Sequence, residues 1–550
     1  MTGPVVLSVA AEVFPLIKTG GLADVVGALP HALEKEGVRV QTLVPGYPAV
    51  MSALETSQVV HKFPDLMGGE ADLLRARAKG LDLFVLDAPH LYDRPGNPYL
   101  QKPNVEWADN GVRFAALALV GAEIGTGLLD DYRPDVIQAH DWHAGLLPAY
   151  LHYSGKAAPP VVLSIHNLAF QGRFPAHLLG KLGKLGLPES AMGVDGVEYY
   201  GDIGFLKAGI RFADQITTVS PSYANEITTE AGGMGLGGLL KTRSRDLVGI
   251  LNGIDIDVWN PATDPDLPAQ YDATCLDRRA INKAELQRRF GLKQDPRKPL
   301  FGIVSRLTTQ KGVDLLLSVL PQLFAEGAQL VVVGMGDPSF EEAFRRAEEQ
   351  YPGCMGEFFG YSEELTHLTQ GGADAILAPS RFEPCGLTQL CAMRYGALPV
   401  VSRTGGLSDT IIDANSAAMA RSAATGVQFW PANEHNLEEA IRRTCALYRH
   451  PKIWRNIQLN AMAADSSWRF SAAIYADLFR NLAGMPAPSA EAIAEEAASQ
   501  AKTAGTAAEL AEPRSFEPAT EEPVEQELRK PAAPRRLRRR TAPAAQARAS

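Results

Sequence analysis

The sequence predicts an α/β protein: two doubly wound domains facing a central cleft, followed by a disordered tail. Three observations carry this. At 550 residues the chain exceeds what a single hydrophobic core holds. Short, unbroken apolar runs alternate with amphipathic stretches, the pattern of parallel strands covered on both faces by helices. That alternation breaks at a Pro- and Asp-rich stretch, 261–268, and then starts again.

The first series of apolar runs falls at 5–9, 38–44, 83–86, 136–139, 161–165, 216–219 and 248–251. These runs are short and continuously apolar, as buried strands are, while helical periodicity fills 112–124 and 205–213. The second series falls at 300–304, 330–333, 357–359, 375–377 and 398–401, with helices expected at 312–324 and 340–350. We therefore place a first domain at 1–251, a second at 252–464, and closing helices at 465–484. The hinge lies within 252–261. From 485 to 550 the chain turns to Ala, Pro, Glu and Arg with few aromatic or β-branched residues. Such a segment buries too little apolar surface to offset its ordering entropy, and it is read as disordered. Its basic block, Arg535-Arg536-Leu537-Arg538-Arg539-Arg540, offers contact to an anionic partner, although a solvated tail with no partner is the simpler reading.

Composition narrows the class. With 46% apolar and 21% charged residues the body is ordinary globular protein. A net charge of -10 gives no encouragement to nucleic-acid binding. Cys275, Cys354, Cys385, Cys391 and Cys445 lack the paired spacing of a disulfide framework or a structural zinc site. The N-terminus lacks the pattern of a signal peptide, and no apolar run is long enough to span a bilayer. A cytoplasmic location without a membrane partner is the expectation.

In open α/β sheets, ligands bind beyond the carboxyl ends of the strands. Lys18-Thr19-Gly20-Gly21-Leu22-Ala23-Asp24 lies at the first strand-to-helix crossing. Its glycines admit close backbone approach, and the helix start offers free N–H groups beside the Lys18 charge. The spacing is neither that of a P-loop nor Gly-x-Gly-x-x-Gly. Asp141 and His143 follow the run ending at 139, and His166 and Asn167 follow the next. In the second series Arg306 and Lys311 follow 300–304. Glu383 follows 375–377, with Gly386-Leu387-Thr388 opening a helix, and Gly405-Gly406 follow 398–401. Singly, each has an ordinary reading: Asp141 as a helix cap, His166 as a packing residue, Arg306 and Lys311 as a surface pair, Glu383 as a dipole partner. Together at one edge they define a site.

The charges suggest its chemistry. Arg306, Lys311 and the helix starts near Gly20-Gly21 and Gly386-Leu387-Thr388 suit an anionic leaving group such as a diphosphate. Asp24, Asp141, His166 and Glu383 suit a polyhydroxylated partner. No Asp-x-Asp pair stands where a divalent ion would bridge phosphates, so no metal or other cofactor is expected and cationic side chains take that part. A Gly-x-Ser-x-Gly elbow is absent, and nothing resembles a Ser-His-Asp arrangement.

Several motifs in fixed order carry a family resemblance. They are Glu12-Val13-Phe14-Pro15 leading into the Lys18 run, His140-Asp141-Trp142-His143-Ala144-Gly145, Ile165-His166-Asn167 and Asn252-Gly253-Ile254-Asp255. Then come Ser305-Arg306-Leu307 with Gln310-Lys311-Gly312, Arg381-Phe382-Glu383-Pro384-Cys385-Gly386-Leu387-Thr388-Gln389, and Thr404-Gly405-Gly406-Leu407. From about Val5 to Leu482 the chain resembles the bacterial glycogen synthases, retaining glycosyltransferases of the GT-B type with two Rossmann-like domains, close to plant starch synthases. The resemblance implies transfer of glucose from ADP-glucose to the non-reducing end of an α-1,4-glucan such as glycogen, without a metal. It also implies that the last helices cross back to the first domain.

Residue by residue, Lys18 matches the lysine reaching the nucleotide sugar from the first domain, with Gly20, Gly21 and Asp24 beside it. Arg306 and Lys311 match the diphosphate pair, and Glu383 the acid near the transferred glucose. Asp141 and His166 match residues on the glucose and acceptor side. Asn252 and Tyr361 match positions near the donor, with Tyr361 placed to stack on adenine. Cys385, Gly386, Leu387 and Thr388 match the loop whose amides meet phosphates and sugar. One departure stands out. Many retaining enzymes of this architecture carry a second Glu eight positions after the first, often used for the ribose; here that position is Cys391. Rival readings are a UDP-glucose-using or starch-synthase-like transferase, an inactive glucan-binding protein, and a phosphorylase. The second would predict loss of Lys18, Arg306, Lys311 or Glu383, and all four are present. The third needs a longer chain and a lysine-bound pyridoxal phosphate.

Overall fold

The computed structural model describes residues 3–102, 105–178 and 187–486. The reading of the tail therefore lies, from 487 onward, outside the described residues.

Among the described residues the first sheet has nine strands: β1 (Val5–Val9), β2 (Arg39–Pro45), β3 (Thr56–Phe63), β4 (Ala71–Ala78), β5 (Leu81–Asp87), β6 (Val136–His140), β7 (Val161–Ile165), β8 (Gln215–Thr218) and β9 (Leu247–Gly249). Their order is β9-β8-β7-β6-β1-β2-β5-β4-β3. Pairing is parallel from β9 to β5 and antiparallel at the β5-β4-β3 edge. The sequence expectation omits β3 and β4, for a physical reason. β3 lies at the sheet edge with most of its residues exposed, so its side chains are mixed rather than continuously apolar.

The second sheet has six described strands: β10 (Leu300–Val304), β11 (Gln329–Gly334), β12 (Met355–Phe359), β13 (Ala375–Ala378), β14 (Leu398–Ser402) and β15 (Val427–Phe429). They are all parallel, in the order β12-β11-β10-β13-β14-β15. Successive side chains point to opposite faces. Phe301, Ile303, Leu330 and Val332 thus enter the core on one side, and Leu300, Val331 and Val333 the core on the other. The helix expected over 312–324 is two, Val313–Ser318 and Leu320–Ala325. Pro321 has no N–H to continue the first helix and is well placed in the first turn of the second.

The first sheet is also covered on both faces. On one, helix Gly21–Lys35 supplies Val25, Leu29 and Leu33, and the last helix, Arg469–Leu482, supplies Tyr475 and Phe479. All pack with Val6, Val136, Val162 and Ile250 from the sheet. The last described helix thus returns to the first sheet. The two segments that cross between the sheets run side by side: the Ile254 N–H donates to the Ser466 carbonyl at 2.8 Å, and Ile254 bridges Ser467. Contact is close enough that a Cβ on Gly253 would lie 2.5 Å from the Trp468 nitrogen. Among the described residues no helix is long and apolar enough to cross a membrane.

Candidate active site

The suggestive residues stand where strand ends place them. Lys18 follows β1, Asp141 follows β6 and His166 follows β7, all on the first sheet. Arg306 and Lys311 follow β10, Tyr361 follows β12, Glu383 follows β13 and Gly405 follows β14 on the second. All but Arg306 gather in three groups.

The first group spans both sheets. Lys18 Nζ lies 2.9 Å from Asp24 Oδ1 and 3.5 Å from Glu363 Oε1, and 5.1 Å from the centre of the Phe14 ring. Burial works against the Lys18 charge, but Asp24 and Glu363 overcome it and push the pKa up, so the amine stays protonated. The exposed Tyr361 donates its hydroxyl to the same Glu363 Oε1. Gly20 has open space around it, and a Cβ on Gly21 would meet Leu387 Cδ1 at 3.6 Å, so the two domains touch at this loop.

The second group is built on Glu383. Lys311 Nζ lies 2.5 Å from Glu383 Oε2, and the Ser380 hydroxyl donates to that oxygen at 3.0 Å. Glu383 is 7% exposed, so Lys311 neutralises a carboxylate held in a poorly solvated place. The following loop wedges between the domains. Ser220 Oγ donates to the Pro384 carbonyl at 2.6 Å, and Cys385 is packed into the core of the first domain. Burial raises the Cys385 thiol to about 12, so it is a neutral packing group that also meets the Asn252 backbone N–H. Asn252 Oδ1 is buried without a hydrogen-bond partner among the described residues. Gly386 takes φ +75°, and Thr388 Oγ1 reaches the Val304 carbonyl at 3.4 Å. Gly405 takes φ +42°, and a Cβ there would fall 2.0 Å from the Glu383 carbonyl oxygen. Only glycine allows the β14 loop to approach Glu383 this closely.

The third group lies on the first domain alone. Asp141 adopts φ 51° and ψ -163°, a costly backbone for a residue with a Cβ. That geometry aims Oδ1 at the backbone N–H groups of His166 (2.7 Å) and Asn167 (3.4 Å). Burial raises its carboxyl to about 7, against those two donors. His166 shares a 2.9 Å hydrogen bond with His140, which meets Ser8 Oγ at 3.1 Å. Burial lowers His166 to about 4 and His143 to about 3, so both imidazoles are neutral near pH 7. Tyr223 lies where it feels the charges of both Asp141 and Glu383, and its hydroxyl accepts from Leu168 N at 3.0 Å.

Arg306 stands apart from these groups. It is exposed and lies over the Phe170 ring of the first domain, 5.6 Å from guanidinium carbon to ring centre, rather than on Lys311 or Glu383.

Sequence reasoning gave no site role to several polar groups. Glu12, 2% exposed, accepts from the Thr19 hydroxyl at 2.7 Å, from the Thr19 N–H and from the Tyr99 hydroxyl; Tyr99 stacks on His143 at 4.8 Å. Glu226 accepts from Gly405 N at 2.8 Å, and Asp409 accepts from Ser222 N and Oγ at 2.8 and 2.6 Å, clasping the domains. Glu363 is the fourth. It sits two positions after Tyr361, and a polar residue so near an expected base platform was the available signal. As for cations, Asp264, Asp266 and His367 are the described group close enough to hold one. However, Asp264 Oδ2 already takes hydrogen bonds from His367 Nδ1 at 2.7 Å and the Tyr395 hydroxyl at 2.5 Å, which satisfies the cluster internally.

Two parallel α/β domains, with cationic and acidic side chains facing one another at their strand ends, define a GT-B glycosyltransferase. Residues 5–242 match the starch synthase catalytic domain and residues 285–458 match glycosyl transferases group 1. A glycogen synthase of Rhodopseudomonas palustris is 59% identical over 482 residues, covering 88% of this chain and 99% of the relative. One of Acidiphilium cryptum is 58% identical over 477 residues, covering 87% and 99%. The catalytic domain of starch synthase IV from Arabidopsis thaliana, solved bound to ADP and acarbose, is similar with a TM-score of 0.80 at 30% identity, covering 88% of this chain and all of that one. The chain belongs to the glycogen synthase family.

Proposed function

We propose that the enzyme transfers glucose from ADP-glucose to the 4-hydroxyl at the non-reducing end of an α-1,4-glucan, retaining the anomeric configuration and releasing ADP. The carrying observation is that Lys18 of one domain meets Glu363 of the other while Lys311 pairs with the buried Glu383, in a chain so similar to glycogen synthases along nearly their whole length.

In this reading Arg306 and Lys311 hold the diphosphate and stabilise its charge as the glycosidic bond breaks. Lys311 then exchanges part of its contact with Glu383 for a phosphate oxygen, which frees Glu383 to accept from hydroxyls of the transferred glucose. Gly386, Leu387 and Thr388 present backbone N–H groups to the donor, Asn252 offers its unpaired Oδ1, and Gly20 and Gly21 let the first domain's backbone close on it. Asp141 and His166 line the sugar on the acceptor side, with neutral His166 able to hydrogen-bond a hydroxyl without repelling an oxocarbenium-like centre. Retention follows from front-face departure, in which the leaving phosphate oxygen takes the acceptor hydroxyl's proton. A double displacement would need a carboxylate under the anomeric carbon. Asp141, on the acceptor side, has Oδ1 committed to two backbone N–H groups. No metal takes part, the cations doing its work. The location is cytoplasmic, and the basic tail offers at most an anionic contact.

The test is nucleotide release from purified protein given glycogen and either ADP-glucose or UDP-glucose. Release from ADP-glucose is the expected result. Silence with both donors would sink the reading, and faster release of UDP would overturn the donor alone.

A further inference from the structure

Cys391, eight positions after Glu383, is 3% exposed and uncharged at physiological pH, since burial pushes its thiol well up. A buried thiol is a poor acceptor for a sugar diol. The carboxylates beside Lys18 lie instead where the two domains meet, Asp24 on the first and Glu363 on the second. Resting on the proposed use of ADP-glucose, we propose that Glu363 is the residue that binds the ribose hydroxyls of the donor.

Four features carry this. Glu363 opens helix Glu363–Gly372, where Ser362 Oγ accepts from Leu365 N at 3.2 Å, so its carboxylate is held at a favourable helix start. Its two oxygens are used unequally. Oε1 takes Lys18 and the Tyr361 hydroxyl, whereas Oε2 accepts no hydrogen bond among the described residues and faces His367 Nε2 at 4.0 Å, too far for one. With 38% of its side chain exposed, Glu363 can be reached by a ligand. The neighbouring residues match the order of groups in a nucleotide. Tyr361 presents an exposed ring for a base on the β12 loop, and Arg306 and Lys311 follow β10, two strands away. Two strand spacings are about 10 Å, comparable with the span from base to diphosphate.

The surrounding charges make the site conditional on the first domain. Lys18 and Asp24 face Glu363 from that domain, and His367, fixed through Nδ1 to Asp264, backs it from the second. A ribose diol would accept from Lys18 and donate to Glu363 Oε2, bridging the two domains. Glu363 therefore binds the donor, and reads ribose against deoxyribose.

The test uses the full chain. Parent and Glu363→Ala are titrated calorimetrically with ADP, 2′-deoxy-ADP and 3′-deoxy-ADP, and assayed with ADP-glucose on glycogen. Loss of a hydrogen bond to a charged group corresponds to about 10- to 100-fold in affinity. The parent should bind at least one deoxynucleotide weaker than ADP by such a factor. Glu363→Ala should bind ADP weaker by a similar factor and no longer discriminate against that deoxynucleotide, with the activity loss falling on KM for ADP-glucose more than on kcat. Glu363→Gln, keeping length and one acceptor, should recover part of the binding. Discrimination that persists unchanged in Glu363→Ala overturns the proposal, as does a parent that binds all three nucleotides alike or none. A parent that binds ADP with ribose discrimination lost on Glu363→Ala, yet releases no ADP from ADP-glucose on glycogen, would leave the ribose assignment standing and remove the functional reading.

Discussion

At the scale of single residues, the site is a set of polar groups held by their partners and by burial. Lys311 and Glu383 neutralise one another at 2.5 Å, and removing either leaves the other charge poorly solvated. Lys311→Ala should lower kcat by about 10²- to 10³-fold, the usual loss when one group that stabilises developing charge is removed. Retention on a glycogen affinity gel should survive, which separates the diphosphate role from glucan binding. Asp141 gives a pH signature. A carboxyl whose pKa rises from 3.8 unfolded to about 7 folded holds its proton more tightly in the folded state. Its ionisation therefore erodes stability as pH rises from about 4 to about 7, by at most ~4 kcal/mol, with no further change above. The buried His143 and His166 run the other way, since their lowered pKa values withdraw stability as pH falls below 6.5. Asp141→Asn keeps an acceptor for the His166 N–H and isolates the first effect. Its melting temperature relative to the parent should rise between pH 4 and 7 and then stay level. A difference independent of pH would mean that Asp141 is ionised throughout. The candidate site residues and their order along the chain stand in the sequence motifs. Their pKa values do not, because desolvation is set by neighbours far away in sequence.

At the scale of elements, the informative contacts join short helices of one domain to loops of the other. Helix Pro221–Glu226 meets helix Gly405–Thr410 through Glu226 with Gly405 and Ser222 with Asp409. These contacts hold the β14 loop beside Glu383. Asp409→Ala should loosen closure: we expect a rise of several-fold in KM for ADP-glucose, and more glucose released by water when no glycogen is present, read by a coupled glucose assay. Gly405→Ala is the sharper change. Its Cβ would drive into the Glu383 carbonyl, so activity should fall by more than about 10²-fold, with a lowered melting temperature, whereas alanine at the open Gly20 should be tolerated by the fold. The strands with continuous apolar runs, such as β1, β7 and β10, were readable because burial on both faces leaves no alternation to confuse. β3 was not, since an edge strand carries no such run, and the break at Val319 needed the Pro321 ring to be weighed against a helical pattern.

At the scale of the whole molecule, the last helix ties the end of the described chain to its first sheet. Tyr475 and Phe479 are buried with Val6, Val136 and Ile250, and Ser471 Oγ donates to the Leu251 carbonyl at 2.5 Å. Phe479→Ala should cost about 3–5 kcal/mol in urea unfolding of the first domain, a core-cavity penalty and not a surface effect. A fragment ending before residue 465 would bare this whole apolar face and should be insoluble even though both sheets are complete.

What the sequence by itself determined is the two series of buried strands, the strand-end position of each polar residue and the family motifs, since these follow from local periodicity and residue type. The tertiary structure alone decided which of these residues meet: Lys18 with Glu363, Glu226 with Gly405, Ser220 with Pro384, Tyr475 with the first sheet. Such contacts join residues hundreds of positions apart. Their geometry depends on how the two sheets and their helices pack against one another, and no local pattern of side chains encodes that distance.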